Sequence, residues 1–339
     1  MPGLRSSITV WRSGYVKMLI TTALFGFNAS VSKVVLTAGI DPTRLVALRC
    51  AGSALLLGLA IYLTDKSRLA ITRRQLPMLI VVALTGAALI QWLFFVAIDR
   101  LPVGVALLLQ YTSPLLVAVF SHVMLDDRLG RRVWLALGLC LGGLVLVAQV
   151  WRDTGLDTIG VFAALTSAVC MATFGLLGKR SLERQDPLAL SFWMFAIAAV
   201  FWSIVRPWWQ FEPGVLTEQA SLLGNLSQFQ LPVWVSLLWV IVAGTVLPYA
   251  TWVSALRQLS PTVTGIVAMS EPVIAGLVAW IWLGQSLGAV QLVGAGLVVT
   301  GAVLVQMREH NAITPGPELV LSEFVDTIAS TDGPDADRS

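Results

Sequence analysis

Charge is scarce in this chain. Only 12% of its 339 residues are Asp, Glu, Lys or Arg, against 57% hydrophobic residues. A water-soluble domain of this size carries about 25% charge. Most of this surface therefore has to face something other than water. The net charge of +3 is too small to argue for a nucleic-acid partner. Histidine is nearly missing: only His122 falls in the apolar part of the chain. No HExxH or GxSxG motif occurs, which speaks against an intramembrane hydrolase. No phosphate-cradling P-loop occurs either, so ATP does not drive the protein directly. Cys50, Cys140 and Cys170 lie far apart in apolar runs and read as buried small residues. Neither a metal nor a cofactor is expected.

What the chain does have is long apolar runs. A bilayer core of about 30 Å takes roughly 20 apolar residues as a helix. Ten such runs occur, at 16–38, 44–63, 77–98, 103–125, 132–150, 158–178, 187–206, 233–256, 261–283 and 287–306. Runs of this length predict helices rather than barrel strands. The first is too long for a cleaved signal peptide and contains Lys33, so it reads as a retained helix. The lipid bilayer is the first partner implied.

Lysine and arginine set the orientation. With the N-terminus in the cytoplasm, the inner side receives fifteen: Arg5, Arg12, Lys17, Lys66, Arg68, Arg73, Arg74, Arg128, Arg131, Arg132, Lys179, Arg180, Arg184, Arg257 and Arg308. The outer side receives four: Arg44, Arg100, Arg152 and Arg206. The expectation is a multi-pass protein of the cytoplasmic membrane with both termini inside. Residues 1–15 form a cytoplasmic N-terminal segment. Residues 307–339 are polar and end in "TDGPDADRS", which predicts a disordered cytoplasmic tail.

The chain also repeats itself. Shifted by 158 positions, residues 81–148 fall on 239–306 without a gap, and 16 of 68 positions are identical. Gly86 falls on Gly244, Leu101 on Leu259, and Pro114 on Pro272. Composition alone gives about 10%, and these matches sit where backbone geometry is specified. "DP" at Asp41–Pro42 recurs at Asp186–Pro187, each pair reading as an N-cap followed by Pro at the first helical position. The shorter offset there places an insertion of 13 residues in the loop around "WWQFEPGVLTEQASLLGNLSQFQ". The expected units are 16–150 and 158–306, five helices each. Five is odd, so the second unit would be inverted relative to the first, the architecture of many secondary transporters. The fold class is thus all-α and polytopic, with ten transmembrane helices as two inverted five-helix repeats.

Several stretches carry a family resemblance: "FGFNASVSK" (25–33), "LVALRCAGSALLL" (45–57), "YTSPLLVAVFSHVMLDDRL" (111–129), "GTVLPYATWVSAL" (244–256) and "AMSEPVIAGLVAWIWLGQSL" (268–287). Together they resemble the EamA-type ten-helix members of the drug/metabolite transporter superfamily. Gln285 stands where that family often has Glu, and Asp127 holds the paired place in the first half. The resemblance implies an exporter or facilitator of small metabolites, amino acids above all. Efflux of lipophilic drugs and a non-transporting receptor or scaffold are the competing readings.

Glu271 marks the candidate site. It lies near the middle of its run, where a charge costs roughly 2.5–3.5 kcal/mol. Pro272 deprives the Ala268 carbonyl of its helical partner, and Pro114 does the same to Gln110. Such breaks are tolerated beside a polar cavity. Glu271 reads as a contact for a substrate amine, as a proton carrier, or as a packing carboxyl bonded to a neighbouring helix. Substrate-binding candidates are Asn28, Gln91, Trp92, Gln110, Tyr111, Ser113, Tyr249, Trp252 and Ser270, with Pro248 a further helix break and Thr251 beside them. Lys33 and Arg49 are the intramembrane charges that would take a substrate carboxylate or pair with Glu271; snorkelling is the alternative. His122, beside Asp126, Asp127 and Arg128, reads as interfacial. Gly138, Gly142, Gly143, Gly294, Gly296 and Gly301 have close-packing spacing, serving the two halves or a homodimer seam. Trp202, Trp208, Trp209 and Trp234 read as interfacial anchors.

Overall fold

The structure is a computed structural model that describes residues 2–313, apart from 102, 125–128, 150, 152–156, 184 and 285–287. Asp126, Asp127, Arg128 and Gln285 lie outside the described residues, as does the tail from residue 314.

The chain is a polytopic helical bundle. Nine described helical segments are long and apolar enough to cross a bilayer, and Ala289–Val305 is a shorter apolar one. The helices are α1 (Pro2–Thr37), α2 (Pro42–Thr64), α3 (Leu76–Ala83), α4 (Ile90–Arg100), α5 (Val103–Gln110), α6 (Ser113–Met124) and α7 (Arg131–Ala148). The second half continues with α8 (Thr158–Ser181), α9 (Pro187–Val205), α10 (Val233–Ile241), α11 (Leu247–Gln258), α12 (Pro261–Ala268), α13 (Glu271–Leu283) and α14 (Ala289–Ile313). Helix α1 already begins at Pro2 and α14 continues to Ile313, so helix extends past both expected outer limits of the apolar runs. The Asp side chains expected as caps do cap: Asp41 accepts from the Arg44 amide at 3.0 Å and Asp186 from the Leu188 amide at 3.1 Å. Asp157 does the same for Gly160 at 2.8 Å.

Single apolar spans are built from more than one helix. Leu84–Leu89 is a π-helical turn joining α3 to α4, and Val242–Val246 is another joining α10 to α11. Helix α5 stops at Gln110 and α6 restarts at Ser113; α12 stops at Ala268 and α13 restarts at Glu271. The two restarts are 158 residues apart, as are the starts of the two π-turns. Helices α7 and α14 meet most closely at glycines. A Cβ on Gly143 would lie 2.6 Å from the Gly294 carbonyl oxygen, and one on Gly301 would lie 2.8 Å from that of Ala136. Contacts 143–294 and 136–301 mean that these two helices run antiparallel. Gly138, Gly142 and Gly296 meet nothing within 4 Å.

The expected insertion is an ordered cap. Strands β1 (Gln219–Ser221) and β2 (Gln230–Pro232) pair antiparallel, Ala220 opposite Leu231. Trp282 Nε1 donates to the Leu222 carbonyl at 2.8 Å, and Asn225 Nδ2 to that of Ile281 at 2.9 Å. Gly224, at φ +51°, rests directly on the backbone of Trp282 and Leu283, where no side chain would fit. Beneath the cap lies a separate apolar cluster of Val31, Val35, Leu45, Ala220 and Leu237. Trp202 departs from the interfacial expectation: it is only 1% exposed, inside the main core. Trp209 and Trp234 are exposed.

Candidate substrate site at the helix breaks

The broken helices bring polar groups together in the interior. Tyr111 lies in the α5–α6 break, and its hydroxyl donates to Glu271 Oε2 at 2.7 Å. Glu271 is the first residue of α13, where free amide groups and the helix dipole favour a carboxylate. Among the described residues, nothing hydrogen-bonds to its Oε1.

Arg49, only 4% exposed on α2, is held by three neutral acceptors. Its Nε donates to Thr245 Oγ1 at 2.9 Å, Nη1 to Gln91 Oε1 at 3.0 Å and Nη2 to the Gly244 carbonyl at 3.3 Å. Thr245 in turn donates to the Val240 carbonyl at 2.8 Å. A π-turn widens the helix and leaves carbonyls without a local partner, which is why such turns recur at functional sites. The other π-turn behaves likewise: Tyr249 donates to the Gly86 carbonyl at 3.0 Å.

No ion pair within 4.0 Å joins Arg49 to Glu271. All four ion pairs among the described residues lie at helix ends and loops. Arg49 is thus buried and Glu271 half-buried, each hydrogen-bonded to neutral partners and neither in direct contact with the other. Each keeps bonding capacity: Arg49 has further N–H groups, and Glu271 a free oxygen.

The remaining candidates divide. Asn28 is buried with its Oδ1 unpartnered, hard against Gly244. Trp252 is buried against Phe25 and Phe174, with ring centroids 5.9 Å away in both cases. Gln110 donates to Ser167 at 2.8 Å, and Ser167 donates to the Ile90 carbonyl at 3.0 Å. Ser270 donates to the Val267 carbonyl at 2.6 Å, and Ser113 is buried. Pro114 packs on Gly265, and Pro272 is buried. The Pro248 carbonyl accepts from Thr251 at 3.0 Å. Trp92 is not brought to the centre: it is 38% exposed, with its ring 6.3 Å from Trp202. Lys33 is exposed and forms no ion pair with Glu271. His122 meets Trp134 edge-on at 6.3 Å.

Thr245, Ser167 and the two glycine carbonyls were missed in the sequence. The repeated glycine at 86 and 244 was the available signal: a Cβ on Gly86 would strike Phe174 at 2.5 Å.

Apolar spans interrupted around a buried polar centre define a class: a multi-pass membrane transport protein. Known proteins narrow it. The model of the EamA-like transporter family matches twice, over residues 12–149 and 158–307. The chain belongs to the EamA-like transporter family. It is 28% identical over 304 residues to the threonine/homoserine exporter RhtA of Escherichia coli strain K12, covering 89% of this chain and 94% of that protein. It is 23% identical over 295 residues to the uncharacterized transporter YyaM of Bacillus subtilis strain 168, covering 85% and 92%. A crystal structure superposes with a TM-score of 0.72 at 17% identity, covering 89% of this chain and 99% of that one. That likeness bears on the fold alone.

Proposed function

We propose that the protein exports small amino acids across the cytoplasmic membrane, holding the zwitterion between Arg49 and Glu271. The observation that carries this reading is that Arg49 and Glu271 are each hydrogen-bonded to neutral partners and not to each other. A substrate carboxylate suits the planar, multidentate Arg49. A substrate ammonium suits the free oxygen of Glu271. Binding would then pair both charges at once, which a neutral drug cannot do. The similarity to an exporter named for threonine and homoserine points to the same substrate class.

Alternating access between two inverted five-helix halves, 16–150 and 158–306, is the proposed mechanism. The helix restarts 158 residues apart support it, and so do the antiparallel α7 and α14, which occupy equivalent places in the two halves. The lysine and arginine bias supports cytoplasmic termini. Proton coupling fits the same carboxylate. A proton on Glu271 removes the charge that holds the ammonium, so proton and substrate compete for one group. Inward proton movement would then drive substrate outward.

The test uses everted membrane vesicles and labelled L-threonine, with and without an acid-inside gradient. Gradient-dependent accumulation is expected, and Glu271→Gln abolishes it while the amount of folded protein stays the same. Undiminished accumulation by that variant overturns the reading.

A further inference from the structure

We infer that a groove between α1, α9 and α11 binds an anionic phospholipid of the leaflet that faces the N-terminus. The groove is a cavity of about 760 Å³, separate from the central charges. Helix α11 presents Tyr249, Trp252, Val253 and Leu256 to the core. Leu247, Ala250, Thr251 and Ser254 stand on another face and line the groove.

Its two ends differ in chemistry. Lys17 and Arg257 mark one end, with Asp186 beside them. Asp186 is engaged by Arg68 at 3.6 Å. Among the described residues, neither Lys17 nor Arg257 has an acidic partner within 4.0 Å. That end is therefore cationic. The other end is Leu247, 48% exposed, next to the π-turn in the middle of the span Val233–Gln258. The hydroxyls between the ends are already bonded: Lys17 Nζ donates to Ser254 Oγ at 2.8 Å, and Thr251 Oγ1 lies 2.7 Å from Thr21 Oγ1. The wall thus offers an acyl chain apolar surface from Leu188, Leu247 and Ala250, with the Thr251 and Ser254 hydroxyls satisfied.

Length decides between a lipid and a small anion. From Leu247 to Gln258 the helix rises about 16 Å. Half of a bilayer core is about 15 Å. A cationic end followed by one leaflet's depth of apolar wall fits a phosphate headgroup with its chain, and exceeds what a free anion would use. Lysine and arginine near the surface of a leaflet attract anionic headgroups.

The experiment is native mass spectrometry of the full chain in detergent, with phosphatidylglycerol or phosphatidylcholine added, and a thermal-melt assay in parallel. Retention of one phosphatidylglycerol is expected, with occupancy at least fivefold above phosphatidylcholine. The double variant Lys17→Gln, Arg257→Gln loses that preference. A control pair on the same face, Arg131→Gln with Arg132→Gln, keeps it. Ala250→Phe fills the wall without touching a charge and also reduces occupancy. Four results would overturn the inference: equal occupancy of both lipids, equal loss in the control pair, full occupancy in Ala250→Phe, or protection by inorganic phosphate alone as strong as by the lipid. None of these readouts involves transport, so failure here leaves the amino-acid reading untouched.

Discussion

Gly86 and Gly244 stand 158 residues apart, and each lends a π-turn carbonyl to a donor from the opposite half of the chain. Tyr249 donates to Gly86 at 3.0 Å, and Arg49 donates to Gly244 at 3.3 Å. The two halves are thus joined through equivalent backbone atoms rather than by apolar contact alone. A buried carbonyl without a partner costs about 1–3 kcal/mol. The pair of bonds gives both π-turns a structural reason to persist.

Gly86→Ala and Gly244→Ala should both destabilise the fold. The new methyl would strike Phe174 and Met194 in the first case and Asn28 in the second. Overpacking of this kind costs about 1–3 kcal/mol. A lower melting temperature of each purified variant is the expected result, against no change for Gly138→Ala, which faces open space.

Tyr111→Phe keeps the ring and removes the one side-chain hydrogen bond that Glu271 makes among the described residues. Bonds to charged groups contribute about 1.5–3 kcal/mol. Transport of L-threonine should fall about tenfold, with the protein still folded. Counterflow in proteoliposomes measures this.

Arg49→Lys preserves charge but not the three-way geometry around Thr245, Gln91 and Gly244. A compact ammonium cannot span those acceptors and a substrate carboxylate together. The half-saturating substrate concentration should rise about tenfold or more. An unchanged value would mean that Arg49 only braces the helices.

Gly143→Val should separate α7 from α14, because its Cβ position already lies 2.6 Å from the Gly294 carbonyl oxygen. Loss of monodisperse protein in size-exclusion chromatography is expected. Gly142→Val, one residue away and facing nothing within 4 Å, should behave as wild type.

Helix positions and breaks were legible in the sequence, because length, proline and Asp-Pro capping act locally. Ser113 and Glu271 restart their helices one residue before Pro114 and Pro272. Which face of each helix turns inward was not legible. In lipid every face is apolar, so hydropathy does not separate Trp92, partly exposed, from Trp202, buried. The partners of Arg49 were hidden for a different reason. Thr245 and the Gly244 carbonyl become acceptors through the π-turn, a backbone feature that no side-chain pattern announces. The cap was visible as an insertion, but its docking on Trp282 and Leu283 depends on long-range contact at Gly224.

The most direct test of the two-charge site is competition for labelled L-threonine by its methyl ester, which lacks the carboxylate, and by N-acetyl-L-threonine, which lacks the ammonium. Neither analogue should compete with the wild-type protein at tenfold excess, while unlabelled L-threonine competes fully. Effective competition by both analogues would contradict a site built from Arg49 and Glu271.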